Sequence, residues 1–126
     1  MSFNLDYQEW SRVVHLRFIG DSSQDTVHEA SLAFVKMLNE KASTKLLTDF
    51  SDAKSLAMSS FDVSDLPAYF RSLGLQKPFI EAVVAPRGGP LRETAEFYET
   101  VCTNRGARVR VFETTSDGLA WLVATS

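Results

Sequence analysis

The apolar and polar positions of the N-terminal part predict two strands followed by a helix. Residues 3–7 alternate weakly between apolar and polar side chains, and residues 13–19 alternate clearly. Apolar residues then recur at helical spacing over residues 24–41. Ser22 or Ser23 precedes this stretch and offers a side-chain oxygen to the free amides of a helix start. We therefore expect a half-exposed pair of strands and a first helix.

The rest of the chain alternates strands with helices. The strand predicted at residues 79–85 carries apolar residues on both faces. This pattern is typical of a central, covered strand. The remaining predicted elements are strands at residues 45–50 and 79–85, a helix from Pro90 that stops at Gly106, a strand at residues 108–112 and a short helix from about Ser116. The element order predicts an α/β fold with a mixed, mostly parallel five-stranded sheet and about four helices.

Composition narrows the class of protein. With 126 residues, 44% hydrophobic and 23% charged, the chain is expected to form one globular domain over residues 1–126. A net charge of -3 argues against a nucleic-acid partner. The single cysteine, Cys102, and two histidines argue against a disulfide framework or a zinc site. No secretory leader is recognised, and the longest apolar run, residues 119–124, is too short to span a bilayer, so a cytoplasmic location is expected.

The segment between the third and fourth predicted strands, residues 51–78, is too long for a plain loop in so small a domain. Acidic and hydroxyl side chains at residues 62–65 favour the start of a helix there, and Gly74 offers a stop. Its apolar face is formed by Leu66, Tyr69, Phe70 and Leu73. The sequence thus predicts a middle helix.

Further apolar side chains stand at both ends of the middle helix, which leaves two hypotheses open. Either all of these residues cap the core, or some of them line an apolar cavity or face a membrane surface beneath a mobile helix. The candidate ligand-binding residues are Phe61, Leu66, Tyr69, Phe70, Leu73 and Phe79. A small nonpolar or lipid-like molecule is the ligand that such a site favours.

Two stretches of the chain resemble a known family. Residues 45–53, Lys-Leu-Leu-Thr-Asp-Phe-Ser-Asp-Ala, resemble the strand and turn of the STAS or SpoIIAA-like group. Residues 109–112 and 120–122 are similar to the end of SpoIIAA-like domains of unknown function. The resemblance implies a SpoIIAA-like βα superhelix. It also relates the fold to lipid-carrying domains such as CRAL-TRIO, which supports the ligand hypothesis by analogy only.

The same resemblance implies a second hypothesis. Anti-sigma-factor antagonists of this group carry a phosphorylated serine within an Asp-Ser-Ser-Gly pattern, and its phosphate switches binding to a protein partner. This chain has Ala57-Met58-Ser59-Ser60 there, so the acceptor position falls on Met58. Ser59 or Ser60 becomes the phosphate acceptor only if the alignment with the family pattern is shifted by one residue. Nearby aspartates also oppose a phosphate there. Plain helix-capping serines are the alternative.

The remaining polar residues do not form a recognisable catalytic set. His15 and His28 have no Ser, Cys or Asp placed by sequence to form a triad. Cys102 lies on an apolar helix face, and the Arg87-Gly88-Gly89 turn lacks the spacings of phosphate-binding loops. We therefore expect no catalytic residues, no metal and no cofactor. The expected molecule is a non-enzymatic binding protein, and peripheral association with the membrane is part of the ligand hypothesis. Whether the last strand, one face of which is polar, pairs into a homodimer stays open.

Overall fold

The computed structural model describes residues 3–125 and forms one five-stranded sheet covered by four helices. The elements are β1 (Phe3–Gln8), β2 (Val13–Ser23), α1 (Gln24–Lys41), β3 (Lys45–Ala57), α2 (Ser60–Ser72), β4 (Ile80–Val84), α3 (Pro90–Asn104), β5 (Arg108–Phe112) and α4 (Thr115–Ala124). The strands follow the order β1-β2-β3-β4-β5, with β1 antiparallel to β2 and the other pairs parallel. The predicted α/β class and mixed, mostly parallel sheet are confirmed.

Helix ends follow the local chemistry of the sequence. Ser23 caps α1, because its side chain accepts a hydrogen bond from the backbone N–H of Thr26. Pro90 begins α3 after Gly89, whose φ of 92° is in the region that favours glycine. Gly106, with φ of 83°, follows the end of α3. The predicted boundaries of α1 and α3 are therefore confirmed for the reasons that predicted them.

The sheet has two apolar faces of unequal size. One face packs with α1, α2 and α3 into the larger core, which includes Leu16, Phe34 and Phe70. The other face packs against α4 in a smaller core around Leu47 and Leu122. Burial of these side chains stabilises the fold at about 25 cal/mol per Å² of apolar surface removed from water. The covered character predicted for β4 is confirmed.

Two strands extend further than predicted. The sequence places the end of β2 at residue 19 and the end of β3 at residue 50, but β2 continues to Ser23 and β3 to Ala57. The extra residues pair with each other in parallel, with register shifts near Arg17 and Gly20. Pairing satisfies their backbone groups although most of the side chains are polar, so alternation of apolar residues does not reveal these extensions.

The middle helix, α2, lies close to its predicted position. It begins after the cap residue Ser59 and ends at Ser72, two residues before the predicted stop at Gly74. Its buried residues are Val63, Leu66 and Phe70, which face the larger core. The segment of residues 51–78, in which the sequence predicts a helix, thus contains the end of β3 followed by that helix.

Candidate functional site

An apolar cavity of about 60 Å³ lies between the sheet and the three helices α1, α2 and α3. Its sheet side is formed by side chains of β2, β3 and β4, including Leu16, Thr48 and Glu81. Its other walls come from α1, α2 and α3, and from Leu56 near the end of β3. The cavity therefore lies beneath α2, where the sequence predicts an apolar site.

The structure separates the predicted ligand-binding residues into three groups. Leu66 and Phe70 are buried and line the cavity. Tyr69, Leu73 and Phe79 are partly buried and pack against the larger core outside the cavity wall. Phe61 is 83% exposed and lies outside the cavity. Two of the six side chains thus reach the cavity, and a ligand-binding role stays a prediction for all of them.

Aromatic contacts hold α2 against the neighbouring elements. The ring of Phe34 on α1 lies 5.1 Å from that of Phe70 and 5.6 Å from that of Phe79, edge to face in both cases. The rings of His28 and Tyr69 stack at 4.2 Å. Each such pair adds about 0.5–1.5 kcal/mol beyond area burial. These contacts fit the hypothesis that the surplus aromatics cap the core.

A buried carboxylate on the cavity wall was missed by the sequence reasoning. Glu81 on β4 is only 4% exposed. Its Oε2 accepts a hydrogen bond of 2.6 Å from the Thr48 hydroxyl, and its Oε1 accepts one of 2.5 Å from the Tyr98 hydroxyl. The available signal was a lone acidic residue inside the apolar run of residues 79–85, on the same strand face as Val83.

The surroundings of Glu81 disfavour its charged form. Burial raises the pKa of Glu81 to about 7, against an ordinary value of 4.5, although the hydrogen bonds from Thr48 and Tyr98 act in the opposite direction. Of the four salt bridges within residues 3–125, none involves Glu81. Burial also raises the pKa of Tyr98, and it raises that of Cys102 to about 12. Both α3 groups are therefore protonated at neutral pH.

A second, wider cleft adjoins the cavity at the carboxyl ends of β3 and β4. Its volume is about 360 Å³. It is lined by the end of β3, which includes Lys54, and by the start of α3 with the turn before it. Leu56, Leu91 and Thr94 line both the cleft and the cavity. These three side chains form the partition between an outer space and an inner one.

The predicted phosphorylation residues lie at the N-terminus of α2, where both are exposed. The Ser59 hydroxyl accepts a 3.1 Å hydrogen bond from the backbone N–H of Asp62, and the Asp62 carboxylate accepts one of 3.1 Å from the Ser59 backbone N–H. Gln24 also donates to that carboxylate, at 2.9 Å. Ser60 is the first residue of α2. Ser59 therefore has a structural role as a cap, whatever else it does.

Two other polar residues considered from sequence, Arg87 and His15, do not line the cavity. Arg87 pairs with Glu113 at 3.2 Å. His15 is half-buried opposite Asp6, and desolvation lowers its pKa. Over residues 3–125 no group of three or more His, Cys, Asp or Glu side chains is arranged to hold a metal ion. Across the same stretch, no helix has the length and apolar character needed to cross a membrane.

Comparison with known proteins identifies the fold. No family model matches the chain, and no curated protein matches it in sequence. Among solved structures, it is similar to the anti-sigma factor antagonist SpoIIAA in its unphosphorylated form, with 13% identity, a TM-score of 0.58 and coverage of 98% of this chain and 99% of that one. For the Bacillus cell fate determinant SpoIIAA in its phosphorylated form, the identity is 16%, the TM-score 0.53 and the coverage 95% and 98%.

A third similar structure is an uncharacterized protein of the DUF3478 family with a SpoIIAA-like fold from Shewanella loihica PV-4. It is 19% identical, with a TM-score of 0.55 and coverage of 95% of this chain and 91% of that one. The fold of this chain is thus an α/β fold that it shares with all three of these structures. More narrowly, it is the SpoIIAA-like fold, which confirms the resemblance seen in the sequence.

Proposed function

We propose that this chain is a non-enzymatic regulatory domain that binds a protein partner around the start of α2 and is switched by phosphorylation of Ser59 or Ser60. The fold supports this proposal, because two of the similar structures are an anti-sigma factor antagonist and its phosphorylated form. Fold similarity by itself does not assign a function. The proposal therefore depends on the surface at which the two serines lie.

An exposed aromatic residue beside the serines is the observation that carries the proposal. Phe61 is 83% exposed and directly follows Ser59 and Ser60. Large aromatic side chains are enriched among the residues that dominate protein interfaces. A phosphate on the adjacent serine would bring about -1.5 to -2 charges next to such an anchor, and would repel an acidic or apolar partner.

Ser60 is the better phosphate acceptor of the two. The Ser59 hydroxyl oxygen accepts the capping hydrogen bond from Asp62, and the Asp62 carboxylate lies close to it. The negative charge of Asp62 would therefore repel a phosphate on Ser59, although the helix N-terminus attracts anions. A phosphate on Ser60 leaves the capping oxygen unchanged.

The test is phosphorylation of the purified chain by cell extract with ATP, read by intact mass. We expect one added phosphate on the wild type and on Ser59→Ala, and none on Ser60→Ala. Failure of the wild type to gain a phosphate contradicts the switch. Partner binding is tested separately by cross-linking in extract, where Phe61→Ala should lose the product. Leu32→Ala, which removes an exposed apolar side chain from α1 instead, is the matched control and should keep the cross-linked product.

A second candidate function is supported by the cavity beneath α2. In this hypothesis the chain holds a small nonpolar or lipid-like ligand, with peripheral membrane association. A cavity of about 60 Å³ is small for this purpose, because an engineered apolar cavity that holds benzene has a volume of about 150 Å³. An acyl chain would therefore require α2 to move away from Phe34 and Phe79.

Lipid mass spectrometry of the natively purified chain, with liposome flotation of the same sample, tests this second candidate. A bound nonpolar molecule that is lost when Phe70 is replaced by Ser supports it. Phe61→Ser is the matched control, because Phe61 lies outside the cavity. An empty chain that does not float with liposomes contradicts it and leaves the partner-binding proposal unaffected.

A further inference from the structure

We propose that the cavity is a site for a small primary alkylammonium ion, whose charged group binds Glu81 and whose short alkyl chain lies on the apolar walls. This inference rests on the second candidate function, an internal ligand site, and changes the class of ligand from nonpolar to cationic. The Glu81 carboxylate, its two hydroxyl donors and the adjoining outer cleft carry it.

The first step concerns the unused hydrogen-bonding capacity of Glu81. Each carboxylate oxygen accepts one hydrogen bond, from Thr48 or from Tyr98. A carboxylate has about four acceptor positions, so roughly half of them stay free. Glu81 is one of the residues that line the cavity. Its free lone pairs are therefore available to a donor placed inside the cavity.

The second step concerns charge. A buried carboxylate is costly unless it is paired with a cation or fully hydrogen-bonded. Glu81 takes part in none of the salt bridges formed by residues 3–125. An ammonium group inside the cavity would supply both the missing positive charge and up to three N–H donors. Charge complementarity therefore favours an organic cation over a purely nonpolar molecule.

The third step concerns size. A cavity needs about 10–15 Å³ to hold one water molecule. The 60 Å³ available here therefore suits a ligand of only a few heavy atoms. Leu16, Phe70 and Val83 supply apolar surface next to Glu81. A three-carbon primary amine combines one charged end with a short alkyl chain. Such an amine would place its charged end at Glu81 and its alkyl chain against the apolar walls.

The fourth step concerns entry. The outer cleft and the inner cavity share Leu56, Leu91 and Thr94. Movement of these side chains opens a route to Glu81 that leaves α2 and its aromatic contacts in place. Lys54 lies on the rim of the cleft, where it is exposed and water screens its charge. The end of β3 and the start of α3, rather than α2, would then form the gate.

Binding should also depend on pH. The titratable groups that act on Glu81 are Tyr98 and Cys102 of α3, and both stay protonated at neutral pH. The cavity residues of α1 and α2 carry no titratable side chain. Because the pKa of Glu81 is about 7, its carboxylate is mostly ionised at pH 8 and mostly neutral below pH 6. An ammonium ion should accordingly bind better at the higher pH.

The experiment is titration of the full chain with propylammonium chloride at pH 8, followed by amide chemical shifts and calorimetry. We expect shifts around Thr48, Glu81 and Tyr98. We also expect at least about tenfold weaker binding to Glu81→Gln, because the amide removes the negative charge that pairs with the ammonium group. Binding should weaken at pH 5.5 and on Leu91→Trp, which fills the partition. Leu32→Trp, on an exposed part of α1, is the control and should bind as the wild type does.

Three results would overturn the inference. If 1-propanol binds as well as propylammonium, or if Glu81→Gln binds propylammonium as the wild type does, the ligand class is wrong while an internal site survives. If neither probe shifts the cavity residues, the cationic site fails, and the lipid mass spectrometry described above decides separately whether the second candidate function holds. Circular dichroism of each variant establishes that a loss of binding is not a loss of folding.

Discussion

The phenol hydroxyl of Tyr98 on α3 donates a 2.5 Å hydrogen bond to the Glu81 carboxylate on β4. Both side chains are buried, and the carboxylate accepts its second hydrogen bond from Thr48 on β3. This contact joins a helix to two central strands through one polar group inside an apolar core. A network of this kind is stabilising only while every member has its partner, which makes each hydroxyl testable by substitution.

Removal of the Tyr98 hydroxyl should destabilise the fold. Tyr98→Phe keeps the ring in the core but leaves Glu81 with one donor, so we expect a loss of about 1–3 kcal/mol in the free energy of unfolding at pH 8. Urea denaturation measures this loss. Tyr69→Phe is the matched control, because Tyr69 is only partly buried and stacks on His28 through its ring. Equal stability of the two variants would show that the Tyr98 hydroxyl is not needed.

Stability should fall as pH rises from about 4.5 to about 7. In this window the folded chain holds a proton on Glu81 that the unfolded chain has released, because the folded pKa is about 7 and the ordinary value 4.5. The resulting loss in the free energy of unfolding is on the order of 3 kcal/mol, from about 1.36 kcal/mol per pKa unit. It is fully developed above pH 7 and absent below 4.5.

Glu81→Gln isolates this effect from other titrating groups. The amide keeps a hydrogen-bonding partner for Thr48 and for Tyr98 but carries no charge. We expect this variant to become more stable than the wild type as pH rises, with the gap constant above about pH 7. Urea denaturation of both proteins between pH 4.5 and 8 measures the gap. A gap that does not change with pH would mean that Glu81 has an ordinary pKa.

The sequence contained most of the fold, because its elements are marked by periodicity and by caps. Ser23, Pro90 and Gly106 mark the helix ends that they were predicted to mark. The extensions of β2 and β3 were missed, since their polar residues are held by backbone pairing with each other rather than by burial in a core. Periodicity reports burial, and it does not report backbone pairing in exposed strands.

The candidate site was predicted only in part, for a different reason. The apolar face of α2 showed that Leu66 and Phe70 point to the core, and both line the cavity. Glu81 was hidden because its partners, Thr48 and Tyr98, are distant in sequence and meet only through the order of the strands. A polar network assembled from three elements has no local sequence spacing.

Phe70 and Phe61 should respond in opposite ways to truncation. Phe70→Ala removes a buried ring that contacts Phe34 and Phe79, so we expect a loss of about 3–5 kcal/mol of stability. Phe61→Ala removes an exposed ring and should change stability by about 0.5 kcal/mol or less. Urea denaturation of both variants compares the two. A large loss from Phe61→Ala would place it in the core and weaken its role as a partner anchor.

Ser59 should matter for stability more than Ser60. Ser59→Ala removes the side-chain oxygen that accepts from the Asp62 backbone, so we expect a loss of about 0.5–2 kcal/mol. Ser60→Ala keeps this cap, and we expect little change in stability. The pair is measured by thermal and urea denaturation. Equal losses would contradict the capping role of Ser59 and would remove the main reason to favour Ser60 as the phosphate acceptor.

The outer edge of the sheet at β5 is partly blocked by a side chain of α3. The Glu99 Oε2 accepts a 3.0 Å hydrogen bond from the backbone N–H of Val111. The carbonyl oxygen of Phe112, the residue after Val111, accepts a hydrogen bond from the backbone N–H of Ala85. Successive residues of β5 therefore face β4 and the open edge in turn. Glu99 thus occupies a backbone donor that a second copy of the chain would need for strand pairing.

Glu99→Ala should therefore favour self-association through β5. The substitution frees the Val111 N–H for a neighbouring strand, so we expect the average mass at high protein concentration to exceed that of the wild type, as measured by sedimentation equilibrium. Glu96→Ala, which removes the exposed carboxylate that pairs with Arg92 on the same helix, is the matched control for lost charge. A wild-type homodimer that Glu99→Ala weakens would show instead that Glu99 supports the interface, and an unchanged mass would show that the β5 edge is closed by other means.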